Sequence, residues 1–119
     1  MKQIKPEKIC AIIVSALEDL KAHNIQVLDV TSLTSITDIM IIASGRSNRQ
    51  VKALSDKVQE KVKQAGIQVL GVEGEQDAEW ILVDVGDVIV HIMQPATRTY
   101  YQLEKLWNIE AAAKDKTSV

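Results

Sequence analysis

Trp80-Ile81-Leu82-Val83-Asp84-Val85-Gly86-Asp87-Val88-Ile89-Val90-His91-Ile92-Met93 is the stretch whose reading decides the fold. Two runs rich in β-branched residues flank Gly86-Asp87, a pair favoured in tight two-residue turns. The pattern predicts a hairpin with strands over residues 79–85 and 88–93. A two-residue turn sets the register, so Leu82 opposes His91, Trp80 opposes Met93 and Asp84 opposes Ile89. Side chains alternate between the faces of a strand, which gives the hairpin two chemically distinct sides. Ile81, Val83 and Val85 share one side with Val88, Val90 and Ile92, a uniformly β-branched set suited to lie under a helix. The other side mixes Trp, Leu, Asp, His and Met, a composition suited to contact with something besides a dry core.

Upstream of the hairpin, Ile9, Ile12, Ile13, Ala16, Leu17 and Leu20 recur at the spacing of one helical face, and Pro6 suits the first turn of that helix. Residues 25–30 read as a strand. Residues 39–43 form a continuous apolar run, as expected of a strand covered on both faces. Ser44-Gly45-Arg46-Ser47 ends that run, and Ser47 with Gln50 forms a capping box opening a second helix. Val51, Leu54, Val58 and Val62 are its buried stripe; Lys52, Lys57, Lys61 and Lys63 lie largely off it. Gly66 closes this helix, residues 67–72 read as a strand, and residues 73–77 as an acidic loop. After Pro95, Tyr100, Leu103 and Trp107 carry a last helix, and residues 108–119 read as a frayed tail. The order α-β-β-α-β-β-β-α describes one α/β domain over residues 1–107, a mixed sheet packed with helices.

The chain has 119 residues, 46% of them hydrophobic and 25% charged, values that suit one globular domain and exclude wholesale disorder. No apolar run is long enough to suggest a membrane span, and no secretory signal pattern opens the chain. A single cysteine, Cys10, excludes an internal disulfide and, with two histidines, argues against a His/Cys zinc site. Charge is unevenly spread. Residues 66–97 contain no Lys or Arg but include Glu73, Glu75, Asp77, Glu79, Asp84 and Asp87. Such a segment repels phosphate backbones and suits a basic protein partner.

With two tryptophans, two tyrosines and no phenylalanine, the core must be aliphatic, and Trp80 needs its own explanation. It either packs under the C-terminal helix against Tyr101 or serves as an interface anchor, since Trp is enriched at binding hot spots. His91 in mid-strand is expected to be structural, and Cys10 to be packed. No catalytic constellation emerges. Gly45-Arg46-Ser47 lacks the remainder of a phosphate loop or dinucleotide fingerprint. Asp84 and Asp87 are separated by a turn, unlike the D-x-D strand pair that holds two Mg²⁺ ions, and Asp38 joins them only if the fold brings it close. Spacing favours a binding module over an enzyme, with no catalytic residue, metal or cofactor.

Several ordered motifs resemble the ribosomal silencing factor (Iojap-like) family. They are Ser35-Ile36-Thr37-Asp38, Ile41-Ile42-Ala43-Ser44-Gly45-Arg46-Ser47, Gly71-Val72-Glu73-Gly74, Trp80, the Asp84–His91 run, and Tyr101-Gln102-Leu103-Glu104-Lys105-Leu106-Trp107. The resemblance implies an α/β fold similar to the nucleotidyltransferase core but without transferase activity. It also implies a translation repressor that binds the large ribosomal subunit through its basic interface-side protein L-fourteen. Small-subunit joining would then be blocked sterically when nutrients are scarce. The resemblance carries Trp80 over as a contact residue. The expected partner-binding set is Trp80, Leu82, Asp84, His91, Met93, Asp77, Glu79 and Tyr101. A homodimer through the same Trp/Leu/Met face is a further expectation, as is a bacterial cytoplasmic location; neither a membrane nor sequence-specific nucleic-acid contact is expected. The alternative is a nucleotide-acting enzyme of the related fold.

Overall fold

The computed structural model describes residues 4–97. The last helix expected from Tyr100, Leu103 and Trp107, the frayed end expected over residues 108–119, and Tyr101 all fall outside the described residues.

Helix α1 spans Pro6–Asp19, with Pro6 in its first turn, and buries Ile9, Ile13, Ala16 and Leu17. Strand β1 spans His23–Asp29 and β2 spans Ile39–Ser44. Their antiparallel register shifts between His23 and Gln26. The strand thus starts two residues earlier than the β-branched run suggests. Asn24, with φ +50°, sits inside that irregularity, where a short amide side chain tolerates the left-handed region. Val30, expected in the strand, has left it and is buried, its N–H donating to the Asp38 carbonyl.

Helix α2 spans Asn48–Gln64 and buries Val51, Leu54, Val58 and Val62, the stripe read from the sequence, together with Ser55. Ser47 caps it, its hydroxyl accepting from the Gln50 N–H at 3.1 Å. The Gln50 side chain reaches back one residue further than a standard capping box, accepting from the Arg46 N–H at 2.7 Å. Its amide N–H also donates to the Leu20 carbonyl, which ties the end of α1 to the start of α2. We expect Ser47→Ala to lower stability by about 1 kcal/mol. Urea denaturation with an unchanged m-value would register this as a shifted midpoint. At the other end, Ile67 and Gly66 donate to the carbonyls of Val62 and Lys63, the paired bonds of a Schellman cap.

The strand expected over residues 67–72 is shorter and later: β3 spans Gly71–Glu73. The difference has a local cause. Ile67 is consumed by the helix cap, and ladder pairing begins only at Gly71, opposite Asp84. Strands β4 (Trp80–Asp84) and β5 (Val88–Met93) form the hairpin in the anticipated register, including Trp80 opposite Met93 and Leu82 opposite His91. Gly86 at the first turn position has φ +89°, the left-handed conformation that a tight primed hairpin turn requires.

The five strands run in the order β1-β2-β5-β4-β3. Only β2 and β5 are parallel, with Ile39 beside Val88 and Ser44 beside Met93; the other neighbours are antiparallel. One face packs under α1 and α2, where Ile41, Ala43, Ile81, Val83, Val88, Val90 and Ile92 meet the helical stripes in the main core. The opposite face builds a separate cluster from Val30, Met40, Ile42 and Met93, against which Leu28, Leu33 and Trp80 pack.

Candidate protein-docking site

The second face is where the mixed side of the hairpin lies. Trp80, Leu82, Asp84 and Ile89 are half-buried there, while His91 is 7% exposed and Met93 fully buried. Eight positions were expected to contact a partner, and burial divides them. Trp80, Leu82 and Asp84 retain accessible surface, and Asp77 and Glu79 are exposed. Met93 has no accessible surface, so in this structure it supports Trp80 from below. His91 is similarly enclosed. Tyr101 lies outside the described residues.

Trp80 and His91 form the central contact. The indole Nε1–H donates to His91 Nδ1 at 2.9 Å, and the ring centroids are 5.7 Å apart with planes tilted by 51°. The two residues are diagonal neighbours across β4 and β5, because Trp80 opposes Met93 and His91 lies two residues before it. Burial in apolar surroundings lowers the His91 pKa to about 4, so the imidazole is neutral at pH 7.

The acidic loop is tied down by neutral groups absent from the motif reading. Asn48, the first residue of α2, donates through its side-chain amide to the Asp77 carbonyl at 2.9 Å. Gln94 donates its amide to the Asn48 side chain, and its backbone N–H to the Glu79 carbonyl. Lys52 approaches Glu75 at 4.0 Å. Gly74 passes so close to β4 that a Cβ there would lie 2.0 Å from the Trp80 carbonyl oxygen. Nothing in local sequence spacing announces these contacts, because each joins segments brought together by tertiary packing. Ile36, 79% exposed within the Ser35–Asp38 motif, was also missed as an exposed residue.

Of the carboxylates considered for metal chemistry, that of Asp84 accepts from the Gly86 N–H at 2.8 Å. Asp38 and Asp87 are joined through their backbones, the Asp38 and Ile39 N–H groups donating to the Asp87 main-chain carbonyl at 3.0 Å. Among the described residues, no group of three His, Cys, Asp or Glu side chains is placed to hold a metal ion. Cys10 is half-buried, and burial followed by the Glu7 charge pushes its thiol pKa up, the opposite of nucleophile activation. No helix among the described residues is long and apolar enough to cross a membrane.

A half-buried Trp on a sheet face, beside exposed carboxylates and joined to a buried neutral His, is the feature best suited to contact with a protein partner. Comparison with known proteins supplies the family. Residues 3–119 match the family described as "Ribosomal silencing factor during starvation". The Chromobacterium violaceum ribosomal silencing factor RsfS is 52% identical over 101 residues, covering 85% of this chain and 83% of that protein. A crystal structure of a C. violaceum protein aligns with a TM-score of 0.87 at 50% identity, covering 88% of each chain. The mouse protein named "Mitochondrial assembly of ribosomal large subunit protein 1" is 33% identical over 103 residues, covering 84% of this chain and 45% of that protein.

The chain belongs to the ribosomal silencing factor family. It is accordingly a non-enzymatic regulator that represses translation by silencing ribosomes.

Proposed function

We propose that the Trp80 face docks on the basic interface-side protein L-fourteen of the large ribosomal subunit and so obstructs small-subunit joining. The observation that carries this reading is the half-buried Trp80 held by His91 beside exposed Asp77 and Glu79. A flat aromatic anchor supplies contact area with little ordering entropy, and the acids complement a partner that is basic because it binds rRNA. Association with the large subunit is supported by family membership and by the name of the mouse relative. The mechanism is steric: inhibition follows occupancy and needs no chemistry. In this reading the fold is similar to a nucleotidyltransferase core without transferase activity, and one domain over residues 1–107 acts in the cytoplasm. A homodimer through this face would compete with the ribosome.

Co-sedimentation with separated subunits tests the reading. The protein should travel with large subunits and not with small ones; equal recovery with both, or with neither, overturns it. Trp80→Ala should weaken large-subunit binding by about 2 kcal/mol or more. Its folding should be retained, because the helix-covered face is untouched. If the variant melts far below wild type while its folded fraction binds normally, Trp80 is a core residue and not the anchor.

A further inference from the structure

We propose that His91 is a positioning residue, whose Nδ1 lone pair fixes the Trp80 indole in the orientation presented for docking. The inference rests on the Trp80 face being the docking surface, and it adds a second residue that never touches the partner.

The geometry constrains the chemistry. An indole offers one N–H donor and no acceptor, whereas a neutral imidazole has one nitrogen of each kind. Because Trp80 Nε1 donates to Nδ1 at 2.9 Å, the proton of His91 must sit on Nε2. Reversing the indole about its bond to Cβ would remove Nε1 from this acceptor and leave a buried lone pair unmet. That arrangement costs more than the bond itself contributes, because the imidazole has little access to water. The backbone around His91 is equally fixed. It lies between Leu82 of β4 and Ile42 of β2, with Ile89 and Met93 flanking it on the same face of β5. None of those four positions carries an Asp, Glu, Lys or Arg. Asp84, the other diagonal neighbour on β4, accepts from the Gly86 N–H, and burial is the influence acting on the imidazole. The indole N–H is therefore tethered to β5, the central strand of the sheet.

This makes a specific demand on the residue type at 91. Its side chain must place an acceptor near the present position of Nδ1. Asparagine can do so, since its amide oxygen lies at a similar distance from the backbone. Leucine fills comparable space but supplies no acceptor.

The test measures subunit binding and the Trp80 indole N–H resonance in His91→Leu and His91→Asn, with Trp80→Phe assigning the resonance. His91→Leu should shift that resonance, speed its exchange with solvent, and weaken binding to purified large subunits about tenfold. His91→Asn should recover binding to within about threefold of wild type, since the acceptor is restored. Normal binding by a folded His91→Leu protein overturns the proposal, as does failure of asparagine to rescue. The docking reading fails separately: Trp80→Ala would then bind normally. If only His91→Leu binds normally while Trp80→Ala does not, the surface stands and the positioning role falls. Should the leucine variant not fold, ¹⁵N spectra of the wild type at pH 7 decide the tether itself. An unprotonated Nδ1 coupled across the hydrogen bond to Trp80 Nε1 supports it, and a protonated Nδ1 overturns it.

Discussion

Gly74→Ala should destabilise the protein by about 3 kcal/mol, combining the strain of a left-handed backbone with that of forced separation in a packed site. The new Cβ would lie 2.0 Å from the Trp80 carbonyl oxygen and 3.1 Å from its carbon. Both are backbone atoms, which no rotamer change can move aside. Gly74 also has φ +88°, so relief by rotation at residue 74 would abandon the turn in which its carbonyl accepts from the Ala78 N–H. The damage should reach the acidic loop and Trp80 together. Gly86→Ala is the internal control. Its φ is +89°, but an added Cβ meets only the Leu70 Cδ1 at 3.4 Å, so backbone strain alone, about 1 kcal/mol, is expected. Urea unfolding of the two variants in parallel checks the difference. Equal losses would show that the approach to Trp80 contributes nothing.

Acidification should be similarly costly, and through one side chain. Burial lowers the His91 pKa from 6.5 to about 4. Between those values the unfolded chain binds a proton that the folded protein excludes, so stability falls as the pH falls through this window. The His91 contribution is fully present above pH 6.5 and is lost by about pH 4; it amounts to roughly 3 kcal/mol. Exposed Asp29, whose pKa is lowered by its hydrogen bonds with Thr31, acts in the same direction. The assignment to His91 is therefore made by difference. His91→Asn should show a distinctly flatter loss between pH 7 and pH 4.5 in urea titrations. Parallel profiles for the two proteins would remove His91 as the cause.

Much of the architecture was legible because it rests on local periodicity. The stripe from Val51 to Val62, the Ser47 cap and the hairpin register each depend on residues within a few positions of one another. The misplaced third strand shows where that logic stops. Residues 67–70 carry strand-like composition, but the preceding helix cap takes Ile67, and pairing waits for Gly71 to meet Asp84. Trp80, Leu82 and Asp84 could be assigned to one sheet face from alternation alone. Their exposure could not, because it depends on what else packs against that face. Hence Met93 and His91 were grouped with the contact residues, whereas they are enclosed. The Asn48–Asp77–Gln94 ties were invisible for the same reason: polar side chains at ordinary spacing acquire meaning only when the fold joins α2 to the loop and to the end of β5.

The parallel pairing of β2 with β5 has a consequence for the order of assembly. Ile39 waits for Val88, and everything from α2 to the hairpin turn must be made before that contact can close. Such distant pairings are slow to form, because the entropy of closing the intervening loop is lost before any contact compensates it. Until then β2 presents an apolar, unpaired edge, the feature most prone to self-association. A newly synthesised copy is therefore at its most vulnerable after α2 has formed and before β5 arrives. Trp80 and His91 meet only when β4 and β5 are zipped together, so their contact is absent from any chain in which that pairing has not yet formed.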